Sequence, residues 1–134
     1  MSNSQQARAK KSVINVLVVE DNDTDFLLIQ RKLLKLLTPT IIDRATNRNE
    51  LHVALLAARD LIVTDYHLAD IEERELITAI HAAQPATPCL ILSGSIDHID
   101  ARDLQENVIA VIEKGDSAAL EKALRDYFDE PAAP

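Results

Sequence analysis

Glycine is almost missing from this chain: Gly94 and Gly115 are the only two in 134 residues. Flavin, dinucleotide and P-loop sites need glycines so that backbone amides can approach phosphate. No Gly-rich turn follows the first apolar run, so that class of cofactor site is disfavoured. Cysteine is as scarce. Cys89 is the single one, so no disulfide forms within the chain, and its place inside an apolar run makes it a small buried hydrophobe. Basic clusters are missing too: no Lys/Arg-rich stretch follows Lys11 and the formal net charge is -8. Phosphate-backbone binding needs a basic patch or stripe, which argues against direct nucleic-acid contact. No apolar run approaches the roughly 20 residues that span a bilayer, and Met1 to Lys11 lack the apolar stretch of a signal peptide. A cytoplasmic protein without membrane insertion is the expectation, and the glycosylation pattern at Asn22-Asp23-Thr24 is set aside on that ground. His52, His67, His81 and His98 have no ligand-like spacing and read mostly as surface residues.

What the chain has is apolar content, 47%, enough for one domain with its own core. The ends, 1–11 and 131–134, lack periodicity and are expected to be mobile, leaving a domain at 12–130. Inside it, strand and helix signals alternate. Val16-Leu17-Val18-Val19 precedes a helical stripe of Phe26, Ile29, Leu33 and Leu36/Leu37, with Asn22 or Asp23 as cap and Thr38-Pro39 as stop. Thr40-Ile41-Ile42 predicts a short second strand and Glu50 to Ala57 a modest helix. Leu61 to Thr64 predicts a third strand, followed by a helix starting near Ile71 with Asp70 as candidate cap. Cys89 to Ser93 predicts a fourth strand, followed by a weak helix around His98 to Gln105. Val108 to Ile112 predicts the fifth strand, and Leu120, Ala123, Leu124, Tyr127 and Phe128 the stripe of a last helix capped by Asp116 or Ser117.

Continuous rather than alternating apolar strands indicate a parallel sheet covered on both faces. The expected fold class is therefore α/β, a doubly wound five-stranded parallel sheet, in which ligands bind beyond the carboxyl ends of the strands. Those ends carry Glu20-Asp21, Asp65, Ser93 and Glu113-Lys114. Asp21 and Asp65, with Glu20 acting through water, form a ligand set for a hard divalent cation such as Mg²⁺, which makes the crowded acids tolerable. A carboxylate can also act as a nucleophile and form an aspartyl phosphate, and Asp65 is the candidate because it ends the central strand. Lys114 and Ser93 could neutralise and hydrogen-bond the phosphoryl oxygens. Each residue singly has a bland alternative: a helix cap at Glu20-Asp21, a hydroxyl bonding its own loop at Ser93, a solvated charge at Lys114. Their coincidence at four strand ends favours the functional reading.

In this order the residues resemble the receiver domain of two-component response regulators. Val16-Leu17-Val18-Val19-Glu20-Asp21-Asn22-Asp23 is similar to its acidic motif, Val63-Thr64-Asp65-Tyr66-His67-Leu68 to its phosphoacceptor motif, Leu92-Ser93-Gly94-Ser95 to its switch hydroxyl, and Glu113-Lys114-Gly115-Asp116 to its lysine motif. The resemblance covers roughly Val13 to Asp129. It implies a flavodoxin-like fold with strand order 2-1-3-4-5, and an Asp65 that accepts a phosphoryl group from a histidine kinase or phosphotransfer protein. It implies Mg²⁺ held by Asp21, Asp65, the backbone carbonyl of His67 and, through water, Glu20. Ser93 and Lys114 would hold the phosphoryl oxygens and pull in the loop after the fourth strand, changing the face made by the fourth helix, fifth strand and last helix. Such a chain is a phosphoacceptor that assists its own phosphotransfer and dephosphorylation, and is not an enzyme in the usual sense. Only Pro131 to Pro134 follow the last helix, so if the chain is a complete protein, output through a bound downstream protein is expected.

The chain departs from the pattern at four places. Val111 stands where an aromatic is common, Gly115 where proline is frequent, Glu73 where a glycine is usual, and Glu106-Asn107 where a Gly-containing turn precedes the last strand. Val111 cannot report a switch by burying or exposing a ring, and the loops at Glu73 and Glu106 are expected to take altered paths. These departures support an alternative, a pseudo-receiver that binds partners constitutively without phosphorylation. The intact set of acids, hydroxyl and lysine favours the switch.

Overall fold

Each apolar run becomes a strand, and all the pairings between them are parallel. The computed structural model describes residues 13–128; the expected mobile ends, 1–11 and 131–134, and both limits of the 12–130 domain lie outside them. The strands are β1 (Ile14–Val19), β2 (Thr40–Ala45), β3 (Leu61–Asp65), β4 (Cys89–Ser93) and β5 (Val108–Glu113). They form one five-stranded sheet in the order β2-β1-β3-β4-β5, the order expected. Every residue of β3 and β4 is buried, whereas the edge strands β2 and β5 are partly exposed. That contrast explains why the inner strands are unbroken apolar runs while β2 tolerates Asp43 and Arg44.

Among the described residues four α-helices cover the sheet: α1 (Asp23–Leu36), α2 (Arg48–Ala54), α3 (Glu73–Ala83) and α4 (Ser117–Phe128). Successive side chains of a strand point to opposite faces, so β1 supplies two cores at once. Val16 and Val18 pack with Ile29 and Leu33 of α1 and with Leu120 and Leu124 of α4. Leu17 and Val19 pack with Leu51 of α2 and with Leu76, Ile77 and Ile80 of α3. The sheet is thus doubly wound, with α1 and α4 on one face and α2 and α3 on the other. Each of these leucines and isoleucines contributes about 1.5–3 kcal/mol when fully buried.

Three elements differ from expectation. The helix expected at 98–105 is instead two 3₁₀ turns, Ile96–His98 and Ala101–Asp103. Its two apolar residues, Ile99 and Leu104, are five positions apart and cannot share a helical stripe. Each follows its own short turn and packs separately against the core. α3 begins at Glu73 rather than near Ile71, because Leu68 and Ile71 pair as an isolated bridge. Asp70 does not cap α3; both its carboxylate oxygens accept the Arg48 amide at the start of α2, at 3.1 and 3.2 Å. β2 continues past Ile42 to Ala45. There Asp43 pairs with Arg59 at 2.5 Å, and Arg44 Nε donates to the Glu20 carbonyl at 3.0 Å. Parallel pairing brings the C-terminal ends of β1, β3, β4 and β5 to one edge of the sheet.

Candidate functional site

β1 delivers Glu20 and Asp21 to that edge. The Glu20 amide extends the β1–β2 ladder by donating to the Ala45 carbonyl at 3.0 Å, so Glu20 remains inside the fold and is 0% exposed. Its Oε2 accepts the Asn22 amide at 3.2 Å and its Oε1 lies 3.0 Å from Lys114 Nζ. Asn22 then turns the chain into α1, its side chain accepting the Asp25 amide at 2.8 Å as the cap of that helix. Arg44 braces this turn from β2. Besides the Glu20 carbonyl it meets Asp23 at 2.9 Å and lies 4.6 Å above the Phe26 ring.

Asp65 ends β3, the middle strand of the sheet, and is 8% exposed. Its Oδ1 accepts the His67 amide at 3.1 Å, and its Oδ2 accepts from Lys114 Nζ at 3.0 Å. The Asp21 carboxylate is exposed, accepts the Ala69 amide at 3.3 Å, and marks the open side of the cluster. Glu20, Asp21 and Asp65 each offer a carboxylate oxygen, and these atoms lie within 4.8 Å of one another. Lys114 arrives from the end of β5, held beside β4 by its amide bond to the Ser93 carbonyl at 2.7 Å. Gly115 follows with φ +89°, a left-handed conformation that glycine adopts without strain.

The electrostatics follow from this crowding. Burial, and then the nearby Asp65 charge, push the Glu20 carboxyl above the ordinary glutamate range; the Lys114 ammonium 3.0 Å away offsets only part of that. Burial pulls the Lys114 ammonium down, but the Asp25, Glu20 and Asp65 carboxylates around it outweigh that and hold the group above the ordinary lysine range. Lys114 is thus a fixed positive charge among acids.

The structure gathers Glu20, Asp21, Asp65 and Lys114 into one pocket, and His67 joins through its backbone amide. Its ring is turned outward, with Nδ1 3.2 Å from Glu73. Glu73, in place of a glycine, thereby pairs beside the site. The Ser93 hydroxyl sits at the end of β4 but donates to the Ser95 carbonyl at 2.8 Å and accepts the Ser95 amide at 3.3 Å, so it is engaged in its own loop. Sequence reasoning overlooked Asp25, whose Oδ2 lies 2.8 Å from Lys114 Nζ. The available signal was its place one helical turn after Asp21, which brings both acids to the same end of α1.

The donor set fits a hard divalent cation: three carboxylates with no sulfur or imidazole, a buried one among them, are what Mg²⁺, Ca²⁺ or Mn²⁺ select. A second positive charge there would relieve the repulsion between Glu20 and Asp65.

No protein-family model matches the chain, and no curated protein does. Solved structures do. A signal receiver domain of an HD domain-containing protein from Pseudomonas fluorescens Pf-5 aligns with a TM-score of 0.74 at 23% identity, over 89% of each chain. A CheY-like response regulator receiver domain from Methylobacillus flagellatus aligns at 0.72 and 22%, over 86% of this chain and 98% of that one. A response regulator from Burkholderia pseudomallei, described with a phosphorylated aspartic acid, a calcium ion and citrate, aligns at 0.69 and 21%, over 90% of this chain and 77% of that one. The fold is that of response regulator receiver domains. Among the described residues no helix is long and apolar enough to cross a membrane.

Proposed function

We propose that the chain is a receiver-type phosphoacceptor, in which Asp65 takes a phosphoryl group from a histidine kinase or phosphotransfer protein with Mg²⁺ present and signals by binding a downstream protein. The observation that carries this reading is the contact of Lys114 Nζ with Asp65 Oδ2 at 3.0 Å on one side, and the approach of Glu20 and Asp21 to Asp65 on the other. A phosphoryl group on Asp65 would meet a cation on one flank and an ammonium on the other, the two sources of charge that phosphoryl transfer requires. The phosphorylated aspartate and calcium described for the Burkholderia pseudomallei protein lend support by fold analogy.

Asp21, Asp65, the His67 carbonyl and, through water, Glu20 would hold the cation, which when bound supplies charge neutralisation for the anionic donor and for the transferred group. The chain's own groups do the remainder. The β3 strand and the His67 amide fix the Asp65 carboxylate. Near burial excludes most water from it, and Lys114 donates toward the developing charge. Ser93 can serve a phosphoryl oxygen only by leaving the Ser95 carbonyl. That need for rearrangement, together with the two 3₁₀ turns beyond β4, is what supports the second reading, a pseudo-receiver acting as a constitutive interaction module.

The test is incubation with acetyl phosphate and Mg²⁺ followed by intact-mass measurement. One added phosphoryl group is expected in the parent, and none with Asp65→Asn or with chelator. A phosphoryl group retained by Asp65→Asn would reject the assignment, and a parent inert toward both acetyl phosphate and histidine kinases would favour the pseudo-receiver.

A further inference from the structure

We infer that Asp25 is a positioning residue for phosphoryl transfer: it takes one Lys114 ammonium donor by hydrogen bond and, with the buried Glu20 charge beside the nitrogen, aims another at Asp65. This inference rests on the phosphoacceptor reading. It starts from a donor count. An ammonium carries three N–H groups, and Lys114 Nζ has three carboxylate neighbours, Asp25 at 2.8 Å, Glu20 at 3.0 Å and Asp65 at 3.0 Å. Two of the three, Glu20 and Asp25, are fixed by elements other than the β3 strand that carries Asp65. Glu20 is fully buried at the end of β1, and Asp25 sits in the first turn of α1, its amide bound by the Asn22 cap.

When Asp65 attacks acetyl phosphate, one carboxylate oxygen forms the new O–P bond, the P–O bond to acetate breaks, and acetate leaves with the electron pair. The negative charge that Lys114 had faced on Asp65 moves outward onto the phosphoryl oxygens. The N–H aimed at Asp65 can follow that charge while the hydrogen bond to Asp25 and the ion pair with Glu20 keep the nitrogen in place. Without Asp25, the ammonium holds one fixed anchor, on a side chain that is 24% exposed and open to water. Asp25 adds negative charge that opposes an anionic donor, but the count of donors makes aim the larger effect, because misplacement by about 1 Å can cost up to 100-fold in rate.

The experiment follows the initial rate of phosphorylation by acetyl phosphate at saturating Mg²⁺, by intact mass, for the parent, Asp25→Ala, Asp25→Asn and Asp25→Glu, with melting temperature and Mg²⁺ midpoint recorded for each. The maximal rate is expected to fall about tenfold in Asp25→Ala and Asp25→Asn and to recover in Asp25→Glu. Half-saturation by acetyl phosphate should stay within about twofold of the parent, a split that a purely structural role would not give. An Asp25→Ala protein phosphorylated at the parental rate or faster, while the parent gains its phosphoryl group, overturns the role of Asp25 alone. A parent that never gains mass overturns the phosphoacceptor reading and this inference with it.

Discussion

Replacing Lys114 by Met removes the one cation that, among the described residues, faces the buried Glu20 carboxylate, and the consequence can be worked from the contacts. Glu20 is 0% exposed; its Oε2 keeps the Asn22 amide at 3.2 Å, but its Oε1 loses the ammonium at 3.0 Å. Losing a charged partner of a buried carboxylate costs about 2–3 kcal/mol at neutral pH, near the lower end for broken buried pairs because the lysine is partly exposed. For a domain of this size that lowers the melting temperature by about 6–12 °C. The pH dependence gives a sharper check. The Glu20 carboxyl already lies above its ordinary range, so the folded state binds its proton more tightly than the unfolded state does. Its contribution is complete below the ordinary glutamate value and is lost as pH rises through the folded value. Removing Lys114 moves the folded value further up and extends that window toward neutrality. The Lys114→Met deficit should therefore shrink on acidification to about pH 5, shrink on adding Mg²⁺ at neutral pH, and shrink when Glu20→Gln is introduced as well. Thermal melts followed by circular dichroism measure all of these. A Lys114→Met protein that melts with the parent, or a deficit indifferent to acid, to Mg²⁺ and to Glu20→Gln, refutes the reasoning.

Other outcomes follow from contacts elsewhere. Arg59, with a side chain 3% exposed, donates to Asp43 at 2.5 Å, Asn15 at 3.0 Å and the Ala54 carbonyl at 2.9 Å, tying β1, β2 and α2 together. Arg59→Met should cost about 2–4 kcal/mol in urea unfolding, and a loss under about 1 kcal/mol would show that the network is slack. Gly115→Ala meets no atom within 4 Å, so only the left-handed backbone at φ +89° resists it. About 1–2 kcal/mol is expected from the same measurement, with phosphorylation still detectable, and a loss of fold would contradict the open space around it. Burial pushes the Cys89 thiol up to about 12, so a thiol reagent near pH 8 should label the native protein only at the rate of its unfolding. Labelling that outruns unfolding would place Cys89 at the surface.

The parts of the fold and site that the chain announced were those fixed by local pattern. Continuous apolar runs mark β1, β3 and β4 because those strands are buried on both faces, and the polar or charged residues that end these runs and β5 mark the sheet edge where Asp21, Asp65, Ser93 and Lys114 lie. What stayed illegible depends on partners distant in sequence. The reach of β2 to Ala45 could not be read because Asp43 and Arg44 look like loop residues until Arg59 and the Glu20 carbonyl meet them. Asp70 looked like the cap of the helix that follows it, yet it serves the start of α2 across the loop. Asp25 escaped notice because its bond to Lys114 spans 89 positions. The stretch beyond β4 offered only Ile99 and Leu104, too few and too far apart for an α-helical stripe, and short turns took its place.

The central claim is that Asp65 receives the phosphoryl group, and locating the modification tests it most directly. After treatment with acetyl phosphate and Mg²⁺, borohydride reduction converts an acyl phosphate to the alcohol, and peptide mass spectrometry reads its position. The account predicts homoserine at position 65 and at no other acid. Homoserine at position 20, 21 or 25, or none at position 65 in a protein that has gained a phosphoryl group, would contradict it.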